Sequence, residues 1–334
     1  MTLLGQLTET LGVWKEARPY LAVMYDEQEM RLLVGMRGRT VTIEEAAELL
    51  GIRIEEATSL LQQAYSRHVI DRKSRDGTTV YSPAAFDSRL DHFATYDTQW
   101  DEIPVEDRRA IDRRFLDRFI AKHRANIKRK MQSLEAENAL PNDTVMLLSE
   151  IEEMIEAAEH VVVQPCDCRR LGQNCDRPVE TCIWLDDAAL EALDRGYGRR
   201  ISREEAKEVA RKADRAGLMH TADSEWRERG LHAICNCCAC DCYPFRAAQE
   251  LGSKGAWPKS RYVAVHDREL CNLCGACVRR CHFEAFYHDG STVDIDGKAK
   301  KNVLYEKKLC WGCGLCAGTC PSDAIVMEPL AGGA

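Results

Sequence analysis

The stretches "CNLCGACVRRCHFEAF" (residues 271–286) and "CWGCGLCAGTCPSDAI" (residues 310–325) carry one pattern, offset by 39 positions, with four cysteines in eleven residues each time. The order in both is C-x2-C-x2-C-x3-C. Three thiols at every third position of a tight loop can face three corners of one compact metal–sulfur core. The fourth, on the following helical turn, faces away. Each half is then incomplete alone, and its fourth cysteine completes the site of the other half, which is a reason to write the pattern twice. Cys271, Cys274, Cys277 and Cys320 are expected around one core, and Cys310, Cys313, Cys316 and Cys281 around a second. Gly275 and Gly314 hold matching positions, where backbone N–H groups must come close to sulfur.

This spacing is a ligand run of bacterial iron–sulfur proteins, in which a proline follows the fourth cysteine, as Pro321 does here. On these residues, the segment from about 260 to 328 resembles the bacterial-type two-[4Fe–4S] ferredoxins. The resemblance implies a small α+β domain, two [4Fe–4S] clusters and one-electron transfer at low potential. Two departures stand out. His282 takes the place where the first repeat would carry proline, which is expected to affect the turn and the potential of the second cluster. The stretch "YHDGSTVDIDGKAKKNVLYEKK" (287–308) is longer than a minimal domain needs and reads as an added hairpin. Paired zinc sites are the alternative, but zinc sites usually pair CxxC units rather than chain three thiols.

All seventeen cysteines lie after residue 165. An odd count, tight spacings and the absence of an export signal point away from disulfides and toward metal. The N-terminal "MTLLGQLTETLGVWKEARPYL" lacks a basic and then apolar leader, and no run of eighteen apolar residues occurs, so a cytoplasmic protein without a membrane span is expected. A net charge of −8 argues against nucleic acid or an anionic membrane as the main partner.

Nine cysteines fall in the middle. "CDCRRLGQNCDRPVETC" carries Cys166, Cys168, Cys175 and Cys182, four thiols that can close one cubane or one tetrahedral zinc. Arg169 and Arg170 follow the first pair and offset thiolate charge. "CNCCACDC" adds Cys235, Cys237, Cys238, Cys240 and Cys242. The neighbours Cys237 and Cys238 cannot easily aim both sulfurs at one small ion; they can serve two metals or a larger cluster. These motifs look like those of uncharacterised ferredoxin-like proteins of anaerobes that also end in a two-cluster domain. That resemblance implies one or two further iron–sulfur clusters and no established reaction. His220 and His232 read as ordinary histidines.

The fold class expected is multidomain α+β. Residues 1–100 resemble a winged helix-turn-helix domain in pattern: helices at 26–36, 42–51 and 54–70, then a hairpin turning at Asp76-Gly77. The third helix opens with Glu55 and Glu56, which repel phosphate, so a docking role is favoured over DNA binding. Residues 101–160 read as a long helical hairpin or linker, with one helix from 103 to 140 ended by Pro141. Residues 161–256 form a cysteine-rich cluster-binding region with further helices at 186–195 and 202–216, the middle as a whole being helical. Residues 257–334 form the two-cluster domain. No G-x-G-x-x-G or P-loop occurs, so flavin or nicotinamide would sit on a partner. The expected function is electron transfer between redox proteins, including flavin- or metal-containing oxidoreductases. The alternatives are a redox-responsive winged-helix regulator and a catalytic subunit with an unusual cluster at 235–242.

Overall fold

Asp26 and Thr42 each accept a hydrogen bond from the backbone N–H three residues on, and Glu29 and Glu45 accept one from the cap's own N–H. These reciprocal caps start the helices Glu27–Met36 and Ile43–Leu50. A third helix, Ile54–Ser66, buries Ala57, Leu60, Leu61 and Ala64. The strands Ile70–Arg75 and Thr78–Pro83 then pair antiparallel. Asp76 and Gly77 between them both have positive φ, 51° and 78°, as a two-residue hairpin turn requires. The helix Phe86–Tyr96 follows.

The structure, a computed structural model, describes residues 2–133, 143–295 and 297–330. The chain forms two units. The first runs to Arg118 and includes Arg170–Gly172 and Asp194–Tyr197; the second comprises the remainder. The helix Val105–Met131, preceded by Pro104, gives its first half to one unit and its second half to the other. Ile111, Leu116, Ile120 and Ile127 along it are buried. Pro141, expected to end it, lies outside the described residues. Among the described residues, no helix is long and apolar enough to cross a membrane.

The second unit is built on a six-stranded sheet, in the order Thr144–Met146, Met219–Ala222, Ala233–Cys237, Glu180–Leu185, Val161–Pro165, Arg199–Arg200, with every pair antiparallel. The middle of the chain is therefore not simply helical. Its strands are two to six residues long, too short to show their alternation against the helices between them. Ile183, Leu185, Val161, Val163 and Ile234 pack with Ile151, Ile155, Ala206 and Ala210 of the helices Leu148–Ala157 and Arg203–Arg215. Burial of each large aliphatic side chain is worth about 1.5–3 kcal/mol. Successive strand residues face opposite ways, so with Ile183 and Ile234 committed to that core, Cys182, Cys235 and Cys237 share the opposite face.

Within the C-terminal part, Tyr262–His266 pairs antiparallel with Ile325–Pro329, and Phe286–Tyr287 with Leu304–Tyr305. The helix Ala276–Arg280 lies between. Thr292–Ile295 and Lys298–Lys301 form a hairpin within the extra stretch.

Candidate metal centre

The two cysteine repeats turn at matching positions, although the helix Ala276–Arg280 of the first has only a turn as its equivalent in the second. Leu273 and Gly312, Gly275 and Gly314, and Glu284 and Asp323 occupy equivalent positions, and all six have φ between 50° and 77°. The proline missing from the first repeat has thus not altered the turn. His282 Nε2 instead donates to the Gly217 carbonyl at 2.6 Å. Gly312 also answers a packing demand: a Cβ there would stand 2.2 Å from the Tyr262 carbonyl oxygen.

Cys281 of the first repeat lines one cavity with Cys310, Cys313 and Cys316 of the second. Backbone N–H groups point at sulfur there: Ala264 and Gly312 donate to Cys310 Sγ at 3.5 and 3.4 Å, and Ala285 to Cys281 Sγ at 3.2 Å. Such bonds favour sulfur carrying negative charge. Burial pushes the Cys313 thiol up to about 12 and the Cys277 thiol up to about 11, because a thiolate there is taken out of water. In the first repeat Cys277 is buried and Cys274 exposed. None of the seventeen cysteines is in a disulfide.

Residues 270–324 match the family model of a 4Fe-4S dicluster domain. This stretch is a 4Fe–4S dicluster domain, and iron–sulfur electron transfer is the activity it suggests. No curated protein and no solved structure matches the chain.

Upstream of the dicluster domain, the nine remaining cysteines do not group by sequence motif. Six form a ring of thiol contacts. Cys166 meets Cys168 and Cys182, Cys182 meets Cys235, Cys235 meets Cys237, and Cys242 closes the ring to Cys168. Cys242 Sγ lies 3.2 Å from Cys237 Sγ. Strand alternation supplies Cys182, Cys235 and Cys237, while Cys166 and Cys242 immediately precede the helices Asp167–Gly172 and Tyr243–Leu251. Hydrogen bonds from Cys168 and Cys182, with the Arg169 cation, hold the Cys166 thiol well below its ordinary range. Cys235 and Cys242, with Thr221, do the same for Cys237. The thiolate is the form that binds metal.

Arg169 is buried beside this ring. Its Nε donates to the Pro178 carbonyl at 2.9 Å, its Nη1 to the Asn236 carbonyl at 2.8 Å, and its Nη2 to Thr181 Oγ1. Burial disfavours its charge, but the neighbouring cysteine sulfurs, Cys166 foremost, outweigh that and hold it protonated. Arg170, read as a second cation, pairs with Asp101 within the first unit. His220 is buried, its Nδ1 2.6 Å from Asn236 Oδ1. The donor types suit a thiolate-bound metal group: thiols that converge, two of them favoured as thiolates, and a buried cation against the negative charge, with the sulfurs in contact rather than spread to the corners of a cubane.

Cys175, Cys238 and Cys240 stand apart from the ring, with Asp241. The sequence reading missed Asp241. A carboxylate inside a dense run of thiols is itself a ligand type, and that was the available signal.

Proposed function

We propose that the chain is an iron–sulfur electron-transfer protein whose dicluster domain is of the bacterial type, with crossed ligation. Cys271, Cys274, Cys277 and Cys320 would hold one [4Fe–4S] cluster, and Cys310, Cys313, Cys316 and Cys281 the other. The observation that carries this reading is Cys281 lining one cavity with the three cysteines of the opposite repeat. The matching turns of the two repeats extend it to Cys320. A further cluster is assigned to the thiol ring of Cys166, Cys168, Cys182, Cys235, Cys237 and Cys242. Iron–sulfur clusters supply one-electron transfer at potentials set by charge, burial and hydrogen bonds to sulfur.

The chain's own residues set those terms. Backbone N–H groups aimed at Cys310 and Cys281 stabilise charge on sulfur. Arg169 does so at the ring. Cys237 and Cys242 share an apolar cluster with Phe245 and Trp311, against which Phe283 and Cys313 pack. The Phe283 and Trp311 rings stack at 4.4 Å, and Phe245 lies 5.3 Å from Trp311. One dry core thus touches cysteines of the ring and of the dicluster domain, which supports placing both in a single redox module. Exposed Cys274 offers the approach for a redox protein partner, such as a flavin- or metal-containing oxidoreductase.

The three helices and hairpin of the first unit are read as a winged-helix arrangement that docks the partner. Two basic side chains that would face phosphate in a DNA reader are engaged within that unit. Arg67 pairs with Glu29 and Asp26, and Arg72 with Asp194.

Anaerobic purification with iron and sulfide counting and EPR tests this reading. Brown protein with at least about eight irons is the expected result, four for each of two clusters. Colourless protein holding only zinc would overturn it.

A further inference from the structure

Cys175, Cys238, Cys240 and Asp241 bring three sulfurs and one carboxylate oxygen all within 4.8 Å of one another. Cys175 Sγ and Cys238 Sγ are 3.8 Å apart. Asp241 Oδ2 stands 3.1 Å from Cys175 Sγ and 3.6 Å from Cys238 Sγ. Ligands at zinc–sulfur distances of about 2.3 Å and zinc–oxygen distances of about 2.0 Å in a tetrahedron lie about 3.8 Å apart for two sulfurs and about 3.5 Å for sulfur and oxygen. The Cys175–Cys238 and Cys238–Asp241 separations match these values, Cys175–Asp241 is shorter at 3.1 Å, and Cys240 Sγ lies within 4.8 Å of the other three. In a cubane, each thiolate binds a different iron at a different corner, so the sulfurs stand farther apart. The dicluster domain provides the comparison within this chain: among the described residues, neither of its cysteine sets gathers within 4.8 Å.

Groups around this quartet orient it. Asp241 is fully buried, and its Oδ1 accepts from both the backbone N–H and the side-chain amide of Asn174 at 2.9 Å. That leaves Oδ2 facing the sulfurs. Arg177 Nη1 lies 3.5 Å from Cys240 Sγ. Three thiolates and a carboxylate exceed the charge of a divalent ion by two, and Arg177 offsets part of the remainder.

We propose that Cys175, Cys238, Cys240 and Asp241 bind a single divalent transition ion, zinc by preference, in a closed tetrahedral site separate from the iron–sulfur sites. Sulfur-rich tetrahedral sites suit zinc, and zinc outcompetes ferrous iron for equivalent ligands. With four protein ligands no position stays open, so the role is structural. The ion would tie residues 174–177 to residues 238–241. These are the two segments whose neighbouring cysteines form the six-thiol ring, so the ion would hold its two halves in register. The assignment of this ion stands whether or not the ring carries iron.

The test is elemental analysis and zinc X-ray absorption on the full-length protein, purified anaerobically. About one zinc per chain, with about three sulfurs near 2.3 Å and one oxygen near 2.0 Å, is expected. The Cys175→Ala/Cys240→Ala variant should lose that zinc and keep the EPR signals of the dicluster domain. Cys168→Ala/Cys235→Ala should keep the zinc and lose iron. Asn174→Ala should weaken zinc about 10–100-fold in a chelator competition, because it removes one of the two donors that orient the carboxylate. Wild-type protein without zinc, a four-sulfur zinc shell, or zinc retained in Cys175→Ala/Cys240→Ala would each overturn the proposal. The absorption spectrum of the wild type decides the case even if the double variant does not fold. Iron content reports separately on the electron-transfer reading.

Discussion

Arg169 is 3% exposed, and its guanidinium is committed to two carbonyls and a hydroxyl, with the sulfurs of Cys166 and its ring neighbours holding its charge. Removing one partner of a buried charge pair strands the other, at about 3–5 kcal/mol. Arg169→Gln keeps much of the volume and removes the charge. It is expected to lower stability by that order and to strip iron from the ring, leaving the dicluster signals intact. Arg169→Lys restores the charge but not the planar fork that reaches Pro178, Thr181 and Asn236 together, so it should recover only part of the loss. Iron per chain and urea unfolding check this, and full iron with wild-type stability in Arg169→Gln would remove Arg169 from the site.

The loop elements of the dicluster domain make a second contrast. Leu273 adopts the same left-handed conformation as Gly312, so that conformation alone is tolerated at this position of the repeat. It costs a residue with a Cβ about 1–2 kcal/mol. What differs at Gly312 is the Tyr262 carbonyl, 2.2 Å from where a Cβ would sit. Gly312→Ala must therefore push away the strand Tyr262–His266, whose Ala264 N–H donates to Cys310. The expected outcome is loss of the iron held by the second repeat, seen by iron count and EPR. His282→Pro should cost only the hydrogen bond to Gly217, about 1 kcal/mol, with iron unchanged, because the following turn already matches that of the other repeat. These repeats were legible in the sequence because their ligand spacing is local. The grouping of the middle cysteines was not. The ring is assembled by strand pairing, which sets Cys182 and Cys235 side by side, and the Asn174 that orients Asp241 lies 67 positions away from it. Helix caps at Asp26 and Thr42 were local again, and Thr42 with Glu45 was readable directly.

For the whole molecule, acid and iron report on different parts. In the first unit, burial and then the Arg195 cation hold His68 down to about 4; burial and then Arg89 hold His92 down to about 3. Unfolded histidines titrate near 6.5, so the unfolded chain binds more protons below that pH. The stability these neutral rings contribute is present above pH about 6.5 and lost as pH falls toward about 4, at up to about 1.4 kcal/mol per pH unit for each ring. His92→Gln should flatten that acid slope in chemical denaturation, and an unchanged slope would show that His92 does not couple folding to protons. Crossed ligation makes the sharper statement about the second unit. If Cys281 completes the site of Cys310, Cys313 and Cys316, then Cys281→Ala and Cys313→Ala damage the same site. Their double variant should lose little more iron than either single one, about half of what the dicluster domain holds. Cys281→Ala combined with Cys274→Ala strikes both sites and should lose nearly all of it. Ligation within each repeat reverses the two results: Cys281→Ala with Cys274→Ala would be the redundant pair, and Cys281→Ala with Cys313→Ala the additive one. Iron counts and EPR on three single and two double variants therefore separate the two arrangements without reference to any partner.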